Sequence, residues 1–237
     1  MSDARRLARM WAKEPLSRLM IVAELGAPVA TGPTPWGRWH LDGMIAWALM
    51  DMLDRCMPRH PGAVCYPPLP LASITGPDGR SVWAASQLAP AGLSVEGLTR
   101  WRRRPDLEAA LEWLAARRLP RSVGARRARD DYLTVVTCTS LMGIAVGHAE
   151  WIERLLSRIT HIGKKHSQGY GRVRRWDVRA LPGDPIPSWA LVDTEGTVIR
   201  PMPVAIAQDI DAAGRVVHGG WRPPYWLRED WTEIVVQ

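Results

Sequence analysis

Phenylalanine is absent from this chain and lysine nearly so: its 237 residues include no Phe and 3 Lys, against 28 Arg and 13 Trp. Cysteine is scarce too. Cys56, Cys65 and Cys138 are odd in number and lack C-x-x-C spacing, which excludes a zinc ribbon and a disulfide framework. The expectation is reduced thiols in a cytosolic, hence cytoplasmic, protein. No uninterrupted apolar run reaches the ~18 residues of a membrane-spanning helix, so no membrane partner is expected. Met1–Glu14 mixes Asp, Arg and Glu and does not read as a signal peptide. Neither G-x-x-x-x-G-K-[ST] nor a strand-to-helix G-x-G-x-x-G occurs, which excludes the common nucleotide loops. Asp42, Glu150, Asp177, Asp209 and Asp211 do not cluster with His at ligand spacing, so neither a metal nor a cofactor is expected.

What is present is basic and apolar. Net charge is +7, and 46% of residues are hydrophobic, ample for a packed core. Arginine pairs with phosphate in a planar fork and stacks on bases, which lysine does less well. The Arg excess therefore favours nucleic acid. A GC-rich genome raises Arg and Trp as well, and both causes stand.

The richest stretch is Ile162-Gly163-Lys164-Lys165-His166-Ser167-Gln168-Gly169-Tyr170-Gly171-Arg172-Val173. Glycines admit positive φ and close approach of a ligand. Lys164, Lys165 and Arg172 bring positive charge, and Tyr170 brings a stacking face. The loop leaves a helix-like segment, His148–Ile159, and enters a strand-like one, Val173–Val178. That is the reverse of a nucleotide loop, in which the helix N-terminus faces the phosphate. A long turn with solvated charges is the plain alternative.

Elsewhere, Leu16–Leu25 reads as a first strand, and Gly26–Gly37 as a loop. His40–Leu53 reads as a helix, with Leu41, Met44, Ile45, Ala48, Leu49 and Met52 at helical spacing. Asp42 lies in its first turn, where negative charge suits the helix dipole. Tyr66–Ile74 suits an edge strand that Ser81–Ser86 can join. Leu98–Asp131 reads as a basic excursion, with Arg100-Trp101-Arg102-Arg103-Arg104 opening it, a short helix over Leu107–Arg118, and Arg126-Arg127-Ala128-Arg129 closing it. Tyr132–Ala145 reads as a strand. Ala190–Val192 and Thr197–Ile199 are strand candidates in a Pro- and Trp-rich tail.

The resulting order is strand–helix–strand, insertion, strand–helix–strand. It predicts an α+β chain of ferredoxin-like plan, the plan also of RNA-recognition domains. The four parts are 1–97, a basic insertion 98–131, 132–181 with the glycine loop, and a β-rich C-terminal extension 182–237.

A glycine-rich loop after the second helix of such a unit resembles the RAMP superfamily of CRISPR proteins. So does Trp39-His40-Leu41-Asp42-Gly43-Met44-Ile45-Ala46-Trp47 at the start of the first helix. Together the two stretches resemble the RAMP subunit that plays the Cas-five role in type IV (Csf) effector complexes. The resemblance covers roughly residues 16–180. It implies a non-catalytic subunit that binds the five-prime handle of the guide RNA and caps the backbone filament. It also implies help in engaging the motif that flanks target DNA. Backbone RAMP subunits and a large subunit are the implied partners, and the insertion is the implied thumb.

The candidate RNA-binding residues are Gly163, Lys164, Lys165, His166, Ser167, Gln168, Gly169, Tyr170, Gly171 and Arg172, joined by Arg38, Trp39 and His40. Trp36 and Trp39 flank Arg38 in a Gly- and Pro-rich loop. Thumb contacts are expected from Arg100, Trp101, Arg102, Arg103, Arg104, Arg126, Arg127 and Arg129. A run of charge is usually a solvated face, but Trp101 inside this one adds a stacking platform. The same superfamily contains guide-RNA-processing endoribonucleases, and His161, His166, Lys164, Lys165 and Tyr170 could supply a base, an acid and cations. Charged loop residues more often position a backbone than cleave it. His166-Ser167 has no nucleophile-elbow context.

Overall fold

The computed structural model describes residues 6, 9–31, 39–53, 68–103 and 129–237. Trp36, Arg38, Cys56, Cys65, Arg104, Arg126, Arg127 and the helix expected over Leu107–Arg118 lie outside the described residues.

The first strand, β1 (Ser17–Leu25), is the centre of the main sheet. Alternate residues Leu19, Ile21, Ala23 and Leu25 are buried, the period of a strand with one face on a core. β1 pairs antiparallel with β8 (Ser140–Gly147) on one side and β9 (Val173–Leu181) on the other. The short strand β5 (Ala89–Pro90) joins β8, which gives the order β5–β8–β1–β9. Two helices, α1 (Leu41–Met52) and α2 (Ala149–Leu156), supply Leu41, Ile45, Leu49, Ile152, Leu155 and Leu156 to the core shared with β1. Each such side chain contributes about 1.5–3 kcal/mol on burial. The opposite face of the sheet is closed at one end by Ala84, Val146 and Ala190, with Trp189 against them. Elsewhere it carries the ion pairs Arg175–Glu24 and Arg179–Asp177.

A second sheet runs β2 (Val29–Thr31), β7 (Arg129–Thr137), β6 (Val95–Arg103). The single strand expected over Tyr132–Ala145 is corrected here. The chain makes two strands, β7 and β8, in different sheets. Apolar alternation runs on across Cys138-Thr139, so periodicity does not reveal the break; burial does, because β8 is largely core whereas β7 is largely exposed. Within the basic segment, Arg100, Trp101, Arg102 and Arg103 belong to β6. Arg100, Trp101 and Arg102 of β6 stand opposite Tyr132, Asp131 and Asp130 of β7. β3 (Ser73–Thr75) and β4 (Ser81–Trp83) pair with each other, at the end of the edge strand expected over Tyr66–Ile74 rather than along it.

In the tail, the strands expected at Ala190–Val192 and Thr197–Ile199 do not form. Pro187–Ala190 is a 3-10 turn, where Pro fixes φ for a turn rather than a strand, and Val192 and Val198 share one isolated bridge. The sheet there is β10 (Met202–Pro203), β12 (Thr232–Val236), β11 (Arg215–Gly219) in spatial order. With the helix α3 (Val204–Asp209) it packs its own core of Leu191, Val198, Met202, Ile206, Trp221 and Ile234. The fold is thus α+β with mainly antiparallel sheets. No described helix is long and apolar enough to cross a membrane.

Asp42 joins the two cores. It does not face solvent as a dipole partner; it is buried, as is Arg200. Arg200 Nη2 lies 3.1 Å from the Asp42 carboxylate and donates to Tyr225 Oη (3.0 Å) and Trp221 O (2.8 Å). Its Nη1 donates to Trp83 O at 2.6 Å. Tyr225 Oη donates to Asp42 at 2.7 Å. Burial pushes the Tyr225 hydroxyl well above its ordinary value, Arg200 opposes that rise and Asp42 adds to it. Burial works against the Arg200 charge, and the neighbouring Asp42 and Tyr225 more than offset it.

Two outcomes are expected. Asp42→Ala leaves a buried guanidinium unpaired and should cost about 3–5 kcal/mol in chemical denaturation. The raised Tyr225 value means its contribution is complete below the unfolded value near ~10 and is lost as pH rises beyond it. Tyr225→Phe should therefore flatten the fall of melting temperature above that pH.

Candidate nucleic-acid interface

The glycine loop is built around left-handed residues that L side chains rarely adopt. Gly163 (φ 88°), Lys165 (φ 62°), Gly169 (φ 83°) and Gly171 (φ 67°) all have positive φ. Two of the glycines lie hard against backbone, one of the loop itself and one of β2. A Cβ at Gly171 would lie 1.8 Å from Ile162 O, and one at Gly163 would lie 2.4 Å from Ala30 O. Gly169 has open space around it. Ile162 N–H donates to Gly171 O, Gly171 N–H to Pro28 O, and Lys164 N–H to Ala30 O, at 2.8, 2.8 and 2.7 Å. The loop is thus pinned to β2, and through β2 to the β6–β7 ribbon.

That pinning brings the two sequence-level candidates together. Lys165 Nζ sits 3.1 Å from the centroid of the Trp101 ring, a cation–π contact. Lys164, His166, Ser167, Gln168 and Arg172 are exposed, and Tyr170 is half-buried. His166 Nε2 lies 2.7 Å from Gly163 O. The His161 and His166 rings stack at 5.4 Å.

On the ribbon, Arg100 and Arg102 are exposed but engaged. Arg100 Nε donates to Asp130 at 2.7 Å, and Arg102 Nε lies 3.3 Å from the same carboxylate. The Arg100 hydrogen bond, helped by Arg102, holds Asp130 below the usual carboxylate range. Arg103 and Arg129 are register partners at the end of the ribbon. Nothing in the sequence pattern had paired this cluster with an acid some 30 residues away.

Below the loop lies a groove of ≈ 390 Å³. Its described lining includes Trp39, His40, Gly43, Met44, Trp47, Arg158, His161, Gly163, His166 and Tyr225. Trp39 is 4% exposed and belongs to the main core, and its buried Nε1 has no hydrogen-bond partner. His40 precedes α1 as its N-cap residue and stacks on Tyr225, centroids 3.8 Å apart at 14°. Trp47, Arg158 and Tyr225 were not anticipated. For Trp47 the signal existed: His40, Gly43, Met44 and Trp47 repeat at helical spacing as a second stripe on α1. Arg158 is held by Asp51 at 2.6 Å. Tyr225 is 183 residues from its partner Asp42, beyond the reach of any local pattern. No group of three or more His, Cys, Asp or Glu among the described residues is placed to hold a metal ion. An exposed cationic loop, an arginine-lined ribbon and an aromatic groove on one side suit a flexible anionic ligand with flat rings.

Loop closure is testable by glycine replacement. Gly169→Ala carries only left-handed strain, about 1–2 kcal/mol. Gly171→Ala adds a clash with backbone and should lose clearly more stability in urea denaturation. Equal losses would contradict the closed geometry.

No curated protein matches the chain. The family model for Csf3, CRISPR type IV associated protein Csf3, matches residues 18–237, from β1 through the glycine loop and Tyr225 to the end of the C-terminal sheet. The chain belongs to the Csf3 family of CRISPR type IV associated proteins.

Proposed function

We propose that this protein is a non-catalytic subunit of a type IV CRISPR effector complex that binds the five-prime handle of the guide RNA. The observation that carries the reading is the Lys165–Trp101 contact at 3.1 Å, which makes the glycine loop and the arginine-bearing ribbon one continuous surface. Family membership supplies the complex. Phosphates would run over Lys164, Lys165 and Arg172 and fix the register, while unpaired bases turn onto side chains, as in single-strand RNA readers. Capping of the backbone filament, contact with backbone and large subunits, engagement of the motif flanking target DNA, and a cytoplasmic location complete the proposal. The order β5–β8–β1–β9, with α1 leading from β1 toward β5 and α2 from β8 to β9, supports a ferredoxin-like RAMP plan, with the β6–β7 ribbon as the base of a thumb.

One observation favours a second reading, that of an endoribonuclease. His161 and His166 share the groove with rings 5.4 Å apart, and two imidazoles can act as base and acid. Yet His166 is engaged by Gly163 O and lies in the same loop as the proposed phosphate contacts.

Binding is tested with guide RNA that co-purifies with the complex. Lys164→Ala with Lys165→Ala should weaken binding and lower the slope of log K against log salt by roughly 0.7 per lysine that contacts phosphate. Asp130→Asn should instead strengthen binding severalfold and steepen that slope, because it releases Arg100 and Arg102 for phosphate. An unchanged slope in both variants would remove loop and ribbon from the binding surface.

Cleavage is tested separately. The purified chain should leave precursor guide RNA intact with or without divalent metal. Specific cutting that His166→Ala abolishes would establish the endoribonuclease instead.

A further inference from the structure

We infer that the groove below the glycine loop is a pocket for a single unpaired nucleobase, drawn out of the bound RNA strand. The inference rests on the RNA-binding reading above and names what the groove adds to it.

Size sets the first bound. A volume of ≈ 390 Å³ admits one base with its sugar and excludes a duplex. The walls set the second. His40 and Tyr225 lie nearly parallel, centroids 3.8 Å apart, and Tyr225 is locked by its hydrogen bonds to Asp42. A ring pair already fixed in place loses little freedom when a third ring arrives. Trp47 is 48% exposed on a helix whose neighbouring positions are buried, and it borders the same space. Met44 and Ile162 complete a largely apolar lining.

Charge decides against a phosphate as the occupant. The lining arginine, Arg158, is already bound to Asp51 at 2.9 and 2.6 Å. The exposed lysine, Lys164, lies outside the groove lining, next to Gly163. Phosphate is therefore drawn to the loop, and the groove is left for the base attached to it. The spatial order of loop and groove matches the order of backbone and base in a nucleotide.

The test uses the RNA that co-purifies with the complex, resynthesised with one abasic nucleotide at each position in turn. Affinity is read by fluorescence anisotropy for the full chain, for Trp47→Ala and for Met44→Trp, which fills the groove. One position should lose about tenfold or more in the wild type when its base is removed, the scale of base–aromatic stacking. The same removal should cost nothing further in either variant. Trp47→Ala should keep the wild-type melting temperature and salt slope, since Trp47 is half in water. Abasic losses that are uniform along the strand, or unchanged in both variants, would overturn the pocket and leave RNA binding by the loop intact. Absence of any RNA binding by the wild type would overturn both readings.

Discussion

The buried contact among Asp42, Arg200 and Tyr225 is the interaction on which this architecture depends. These three side chains connect the core under the β1 sheet with the core of the C-terminal sheet. A guanidinium with almost no exposure is costly to remove from water. Here it is satisfied by a carboxylate, a phenol and backbone carbonyls from three stretches of chain. A well-packed apolar replacement would stabilise a monomer as well or better. What the charged version adds is orientation. It holds Tyr225 against His40 and so fixes one wall of the groove beside α1.

The loop and the ribbon are joined by weaker means. Backbone hydrogen bonds tie Lys164 and Gly171 to Ala30 and Pro28, and Lys165 rests on Trp101. Such contacts are individually worth about a kilocalorie per mole, so a competing ligand can rearrange them. The face of the sheet that RNA-recognition domains use is not free to do this work: part of it is packed under Ala190 and Trp189, and part is occupied by exposed ion pairs. The available cationic and aromatic surface therefore lies at the loop end.

Much of this was legible in the sequence where spacing is local. The first strand, both main helices and the last strand of the sheet follow from apolar periodicity, and the glycine loop from composition. What escaped were long-range pairings and a change of partner without a change of pattern. β7 and β8 share one alternation yet lie in different sheets. Asp42 looked like a dipole residue because Arg200 and Tyr225 are distant in sequence. The arginine cluster looked free because Asp130 lies on the far strand of the ribbon. The second stripe of α1, His40 to Trp47, could be read from helical spacing, but it is apparent only once the first stripe is known to face the core. The family match extends through residue 237, so it takes in the tail that supplies Tyr225 as well as the loop.

The central claim is that loop, ribbon and groove form one RNA-binding face. Hydrogen exchange read by mass spectrometry, on the full chain with and without its co-purifying guide RNA, tests it most directly. The account predicts added protection in three separate stretches, 39–47, 95–103 and 160–172, and none in the C-terminal strands 202–203 and 215–219. Protection confined to the C-terminal sheet, or no change on adding RNA that binds, would contradict it.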